Sequence, residues 1–185
     1  MGSVKNSLLV LLLVLIAGCG DMMDDLAPSG SDMRPSVQCG VTGPGICQIA
    51  PDFTLIDTLG NTVMLSSVVS TTGLRGSVLY FTMWCPVCDM HMSNMRANVM
   101  PAFPDVRFFA VDYVSGSVAD ARSAEISAGY DGSGITVLAD TQQTVLGLYQ
   151  ATMGTTVVID ANGVVRMNED YKDGAKLSAV LSALP

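Results

Sequence analysis

Two cysteines three residues apart follow an apolar run in the stretch YFTMWCPVCDMHM, Tyr80 to Met92. Cys85 and Cys88 at this spacing can do three kinds of chemistry. They can cycle between dithiol and disulfide, they can hold a soft metal as thiolates, or one of them can attack a peroxide. His91, the only histidine of the chain, and Met83, Met90, Met92, Met95 and Met100 lie close by in sequence. Thiolates and thioethers together select Cu(I), so Cys85, Cys88, His91 and Met90 form a candidate copper set. Met92 and Met95 nevertheless stand four and seven residues after Cys88. That is the spacing of a core-facing helical stripe, where methionine fills gaps. Core packing is the expectation, with no metal and no cofactor; Met90 and His91 fit a core less well. A zinc clip would need two further ligands, and no second CxxC is present.

The elements around the pair follow from periodicity. Ser77 to Met83 is a continuous run of β-formers, expected as a buried central strand. Pro86 suits the first turn of a helix, expected to run to about Met100, ahead of Pro101. DFTLIDTLGNTVMLSSV reads as two short strands around Gly60-Asn61. Val106 to Asp112 is a second buried strand. SVADARSAEISAGY is a helix with Val118, Ala121 and Ile126 on or near one face. ITVLAD is a short strand, and TQQTVLGLYQ a helix capped by Asp140 or Thr141. GTTVVIDANGVVRM is a hairpin turning at Asn162-Gly163. DGAKLSAVLSALP is a closing helix with Leu177, Val180, Leu181 and Leu184 inward. A buried strand leading into a helix that carries CxxC at its N-terminus is a thioredoxin-like layout.

At 185 residues the chain supports one domain behind a leader. Residues 1–18 read as a signal peptide: Lys5, an apolar run from Leu8 to Ile16, then Ala17-Gly18 before Cys19. These residues resemble a bacterial lipobox, which makes Cys19 the expected lipid carrier. An ordinary secretory signal with a bystander cysteine is the alternative; N-myristoylation at Gly2 is disfavoured because Asn6 stands where Ser or Thr is needed. Residues 19–48 are expected to be a flexible tether rich in Asp, Ser, Gly and Pro that ends in the Cys39/Cys47 turn, and 49–185 the folded domain. The expected location is the bacterial cell envelope, on its periplasmic or extracytoplasmic face. With Cys19 lipidated, four cysteines remain, and spacing favours a structural Cys39–Cys47 disulfide beside the Cys85–Cys88 pair.

The formal charge of −8 becomes −9 once Lys5 leaves with the signal, with 8 basic against 17 acidic residues. Such a chain cannot neutralise phosphates, which excludes nucleic acid as a partner. Nor does it carry a polybasic membrane patch, so membrane attachment falls to the lipid. The acidity is spread along the chain as a solvated surface. A monomer is expected.

APDFTLIDTLGNTVMLSSV, WCPVC and TTVVIDANGVVR resemble, in order and spacing, the thioredoxin-like redoxins. That group includes the TlpA-like envelope thiol reductants and the AhpC/TSA-type redoxins. The resemblance runs from about Ala50 to Leu184. It implies an α/β thioredoxin-like fold, with a central mixed sheet flanked by helices and an N-terminal β-hairpin extension. The activity it implies is thiol–disulfide exchange with protein or small-molecule disulfides and dithiols, without a bound cofactor. Cys85 at the helix N-terminus would be the attacking thiolate, stabilised by unpaired N–H groups and the macrodipole. Cys88, one turn on, would be the resolving thiol. Trp84, Pro86, Val87, Thr82, Met153 and Gly154 would surround the pair.

Two positions depart from that group. The buried acid commonly found six residues before the first cysteine is replaced by Leu79, so proton transfer at Cys88 must use water or another group. The cis-proline before the TTFLID-like strand is replaced by Gly154. A cis bond before a non-proline residue costs about 2.5–4 kcal/mol, so the Met153–Gly154 bond should be trans. A peroxiredoxin-like peroxidase is the rival enzyme. Its Pro, Thr, Cys and distant Arg fall on Val78, Thr82, Cys85 and Gly154, where Thr and Cys match and Pro and Arg do not.

Overall fold

The computed structural model of the chain describes residues 38–185. The expected signal peptide, the Cys19 lipid site and most of the tether lie outside the described residues.

The order is β1 (Thr54–Asp57), β2 (Thr62–Met64), α1 (Leu65–Val69), β3 (Gly76–Thr82), α2 (Pro86–Asn94), β4 (Val106–Asp112), α3 (Val118–Ser127), β5 (Thr136–Ala139), α4 (Thr144–Leu148), β6 (Thr155–Asp160), β7 (Val165–Asp170) and α5 (Ala175–Ser182). The seven strands form one mixed sheet in the order β2-β1-β5-β4-β3-β6-β7. Strands β3, β4 and β5 are parallel neighbours, and β6 runs antiparallel to β3. The β1–β2 hairpin joins the sheet through an antiparallel pairing with β5. This is an α/β thioredoxin-like fold with an N-terminal hairpin.

Every residue of β3 is buried, as expected of a strand covered on both faces. The two faces have separate cores. Val78 and Tyr80 of β3 pack with Cys88, Met92 and Met95 of the α2 region and with Leu177 and Leu181 of α5. Leu79 and Phe81 pack on the other face with Leu65, Val145 and Tyr149. Met92 and Met95 are therefore core residues. The β6–β7 turn places Gly163 at φ 73°, a conformation that favours glycine. Asp160 accepts hydrogen bonds from the Asn162 and Val164 N–H groups to close that turn.

Several elements differ from the sequence expectation. The segment after Met64 turns into the short helix α1. The α2 helix continues as a π-helical turn at Met95–Val99 and a 3-10 turn at Met100–Ala102. On α3, Ile126 points outward at 53% exposure and Glu125 is buried in its place. Glu125 can be buried because Thr58 Oγ1 donates to it at 2.6 Å and Arg122 at 2.8 Å. The N-cap residue of α4 is Gln143, not Asp140 or Thr141, but the Asp140 carboxylate still accepts from the Thr144 and Leu146 N–H groups of the first turn.

Cys39 and Cys47 form a disulfide. Their loop lies along β7: the Cys47 N–H donates to Val165 O, and the Val165 N–H donates to Gln48 O, each at 2.9 Å. This loop is thus hydrogen-bonded to the folded body, whereas the sequence groups it with the tether.

Candidate active site

The backbone leaves β3 at Thr82 and enters α2 at Pro86. Pro86 is preset for a first helical turn and has no N–H to leave unpaired. Cys85 becomes the N-cap in extended conformation, and its sulfur accepts a hydrogen bond from the Cys88 N–H at 3.2 Å. The first turn of the helix thereby presents a backbone N–H to this sulfur. Cys85 is half-buried and Cys88 fully buried. The two sulfurs lie 2.7 Å apart.

At that distance the two thiols share a hydrogen bond. Burial opposes a charge on Cys88. Hydrogen bonds from the Cys85 thiol, the Met83 and Cys85 backbone and the Thr82 hydroxyl outweigh it, and the net direction for Cys88 is downward.

Trp84 precedes the pair with φ 59°, an unusual value for a bulky residue. Two polar contacts hold it there. Its N–H donates to Thr82 Oγ1 at 3.1 Å, and its indole Nε1–H donates to Asp112 Oδ2 at 2.8 Å. Asp112 ends β4 and is fully buried. Its carboxylate also accepts from the Val114 and Ser115 N–H groups and from Ser115 Oγ. Asp112 therefore anchors the motif loop. Sequence reasoning missed it, although an acid closing the apolar run VRFFAVD was the available signal.

The Met153–Gly154 bond is trans, and Gly154 has φ 84°. The Gly154 N–H donates to Phe81 O at 3.0 Å, and its carbonyl accepts from the Tyr171 N–H at 2.8 Å. A Cβ at Gly154 would stand 3.7 Å from the His91 ring, so this loop passes directly over His91. Among the surround residues, Pro86, Val87 and Met153 are exposed, Trp84 is half-buried and Thr82 is buried.

The candidate copper set does not converge around one point. Met90 is 60% exposed, and His91 Nδ1 is engaged by the Tyr80 hydroxyl at 3.0 Å. Among the described residues no group of three or more His, Cys, Asp or Glu side chains is arranged to hold a metal ion. Of the peroxidase set, Thr82 spends its hydroxyl oxygen on the Trp84 N–H.

Leu79, at the position of the missing acid, points into the core opposite Cys88. The neighbouring residue Tyr80 shares the Cys88 core. Strand alternation was a signal for this, since Tyr80 and Thr82 share one face of β3 and both bring a hydroxyl toward Cys88.

The AhpC/TSA family model matches residues 46–168. No curated protein matches the chain. Among solved structures, a protein assigned as the thiol:disulfide interchange protein DsbE of Chlorobium tepidum is 26% identical. The alignment covers 72% of this chain and 93% of that one, with a TM-score of 0.57. A secreted disulfide oxidoreductase of Mycobacterium tuberculosis is 22% identical, over 71% of this chain and 96% of that one, at TM-score 0.54. The exposed lipoprotein thioredoxin of Streptococcus pneumoniae is 21% identical, over 71% and 99%, at TM-score 0.53. The last two likenesses concern the fold.

Proposed function

The chain belongs to the AhpC/TSA family, and we propose that within it the protein is a thiol–disulfide oxidoreductase of the bacterial cell envelope, held by a lipid on Cys19. The observation that carries this reading is the asymmetry of the pair. Cys85 is accessible and sits at the helix N-cap, while Cys88 is buried 2.7 Å behind it.

The exchange runs in two displacements. The Cys85 thiolate attacks one sulfur of a substrate disulfide. A Cys85–substrate bond forms, the substrate S–S bond breaks, and the departing thiolate takes a proton from solvent. Cys88 then loses its proton and attacks Cys85 Sγ. The Cys85–Cys88 bond forms and the second substrate thiol leaves. Two electrons pass from the dithiol to the substrate, and the reverse sequence oxidises a dithiol. Exposed Met83, Val87, Met90 and Met153 give the rim of the motif an apolar character suited to polypeptide substrates.

The test is Cys88→Ser, incubated with a protein disulfide. A mixed disulfide through Cys85 is expected to accumulate, read by mass spectrometry after non-reducing separation. Preferential alkylation of Cys88 over Cys85 in the reduced protein would reverse the assignment of roles. Peroxide consumption by the wild type at a rate exceeding its disulfide exchange would favour the peroxidase instead.

A further inference from the structure

Resolution of a mixed disulfide needs the Cys88 proton to leave a fully buried thiol, and no carboxylate is placed to take it. Leu79 occupies the position of the family acid and faces the other core. Asp112 is buried nearby, but its two oxygens already accept from Trp84 Nε1, the Val114 and Ser115 N–H groups and Ser115 Oγ. We infer that Tyr80 and His91 form the path along which this proton moves between Cys88 and the surface, an inference that rests on the thiol-exchange reading above.

The three side chains follow one another from the interior outward, with Cys88 acting on the Tyr80 hydroxyl as a hydrogen-bond partner. Tyr80 lies in the core that contains Cys88, one residue beyond Leu79 and therefore on the opposite face of β3. Its hydroxyl is 3.0 Å from His91 Nδ1. His91 follows Cys88 by three residues on α2, so both side chains project from one face of the helix. Cys88 is buried and His91 is half-buried, which makes the imidazole the outer end of the path. The imidazole is held on two sides. The Tyr171 ring centroid is 4.9 Å away, and the Gly154 loop crosses over it. Tyr171 does not compete for the proton path, because its own hydroxyl donates to Asn94 Oδ1 at 2.6 Å.

The ionisable groups facing the pair are Cys85 and Cys88 on α2, Tyr130 after α3 and Tyr171 after β7. Burial lowers the His91 pKa, which keeps the ring neutral and able to accept a proton near neutrality. Burial first, and then the neighbouring Cys88 charge, pushes the Tyr80 phenol upward, so it relays a proton without resting as phenolate.

With Tyr80 donating to Nδ1, the neutral imidazole keeps its own proton on Nε2. The Cys88 proton passes to Tyr80 Oη as the phenol proton passes to His91 Nδ1. Tyr80 ends as a phenol, His91 as imidazolium and Cys88 as thiolate. The thiolate attacks Cys85 Sγ, the Cys85–Cys88 bond forms, and the electron pair of the Cys85–substrate bond leaves with the substrate sulfur. That sulfur is protonated from solvent, to which the imidazolium returns its proton.

The experiment uses the protein with Cys85 and Cys88 reduced and Cys39–Cys47 kept oxidised, and 5,5′-dithiobis(2-nitrobenzoate) in stopped flow. The first chromophoric thiolate reports attack by Cys85 and the second reports resolution by Cys88. In Tyr80→Phe and His91→Gln the first release should keep the wild-type rate. The second should slow by roughly 100-fold near pH 7, the low end of the usual range for acid–base assistance. The gap should close as pH rises past about 8.5, where thiols ionise unaided. Because Tyr80 is buried, His91→Ala with added imidazole serves as the second test, and recovery of the second release is expected. A second release within two-fold of wild type in both Tyr80→Phe and His91→Gln would overturn the relay. So would slowing by one factor at every pH, or His91→Ala that imidazole fails to restore. Wild-type protein that releases no chromophore would overturn the thiol-exchange reading itself, and the relay with it.

Discussion

Gly154 stands where the thioredoxin-like redoxins carry a cis-proline, and restoring that proline should harm this protein. The native residue has φ 84° and donates its N–H to Phe81 O. Proline locks φ near −65° and has no N–H. Alanine separates the two effects. Its Cβ would meet only the His91 ring, at 3.7 Å, an ordinary contact. Gly154→Ala therefore carries the left-handed backbone penalty alone, about 1–2 kcal/mol. Gly154→Pro adds an unpaired buried carbonyl at Phe81, about 1–3 kcal/mol, and a φ conflict that the ring cannot relax. The expected loss is about 3–5 kcal/mol, a large share of the stability of about 5–15 kcal/mol usual for a domain. Guanidinium unfolding of the reduced protein, followed through the emission of Trp84, the only tryptophan, measures both variants. Reduction of a protein disulfide such as insulin should not improve in Gly154→Pro. A proline variant more stable than the alanine variant, or one that sharpens protein-disulfide reduction at unchanged stability, would refute this.

Three further outcomes are expected. Replacing both Cys39 and Cys47 by serine should cost roughly 2–3 kcal/mol by loop-closure entropy, read as a lowered denaturation midpoint; an unchanged midpoint would count against a structural role. Asp112→Asn puts an amide donor among four donors, so about 1.5–3 kcal/mol should be lost and Trp84 emission should shift as the indole loses its anchor. Unaltered emission would mean that Asp112 does not position Trp84. The lowered His91 pKa means that the unfolded chain binds a proton more readily than the native one. Stability should therefore be present above the ordinary histidine pKa and fall as pH drops through about 6.5 toward the folded value. His91→Gln should flatten that part of the stability profile, and a profile identical to wild type would refute the assignment.

The parts of the fold that were legible in sequence are those set by local chemistry. A continuous β-forming run, followed by cysteine and proline, can only end a buried strand and start a helix. Asn162-Gly163 supplies the positive φ that its turn requires. Legibility stops where one element depends on another. Ile126 and Glu125 exchange their expected places because Thr58, 67 residues away from Glu125, satisfies the carboxylate. Helix α1 has five residues, too few to display a period. The β7 pairing of the Cys39–Cys47 loop depends on a strand that comes more than a hundred residues later. At the site, CxxC announces the sulfur pair by spacing alone. Tyr80 and His91 meet across a strand and a helix, and nothing in their separation along the chain specifies that contact.

The docking of the Cys39–Cys47 loop on β7 bears on self-association. A free sheet edge offers unpaired N–H and C=O groups to any extended chain it meets. Here the start of β7 is occupied by Cys47 to Ala50, with Asn168 Nδ2 donating to Pro44 O further along. The remainder of that strand ends in Glu169 and Asp170, whose charges discourage pairing, and the opposite edge, β2, is only three residues long. The disulfide thus staples shut a surface on which strands could otherwise stack. On the thiol-exchange reading, the cover over this edge is tied by a second cysteine pair, remote in sequence from Cys85 and Cys88.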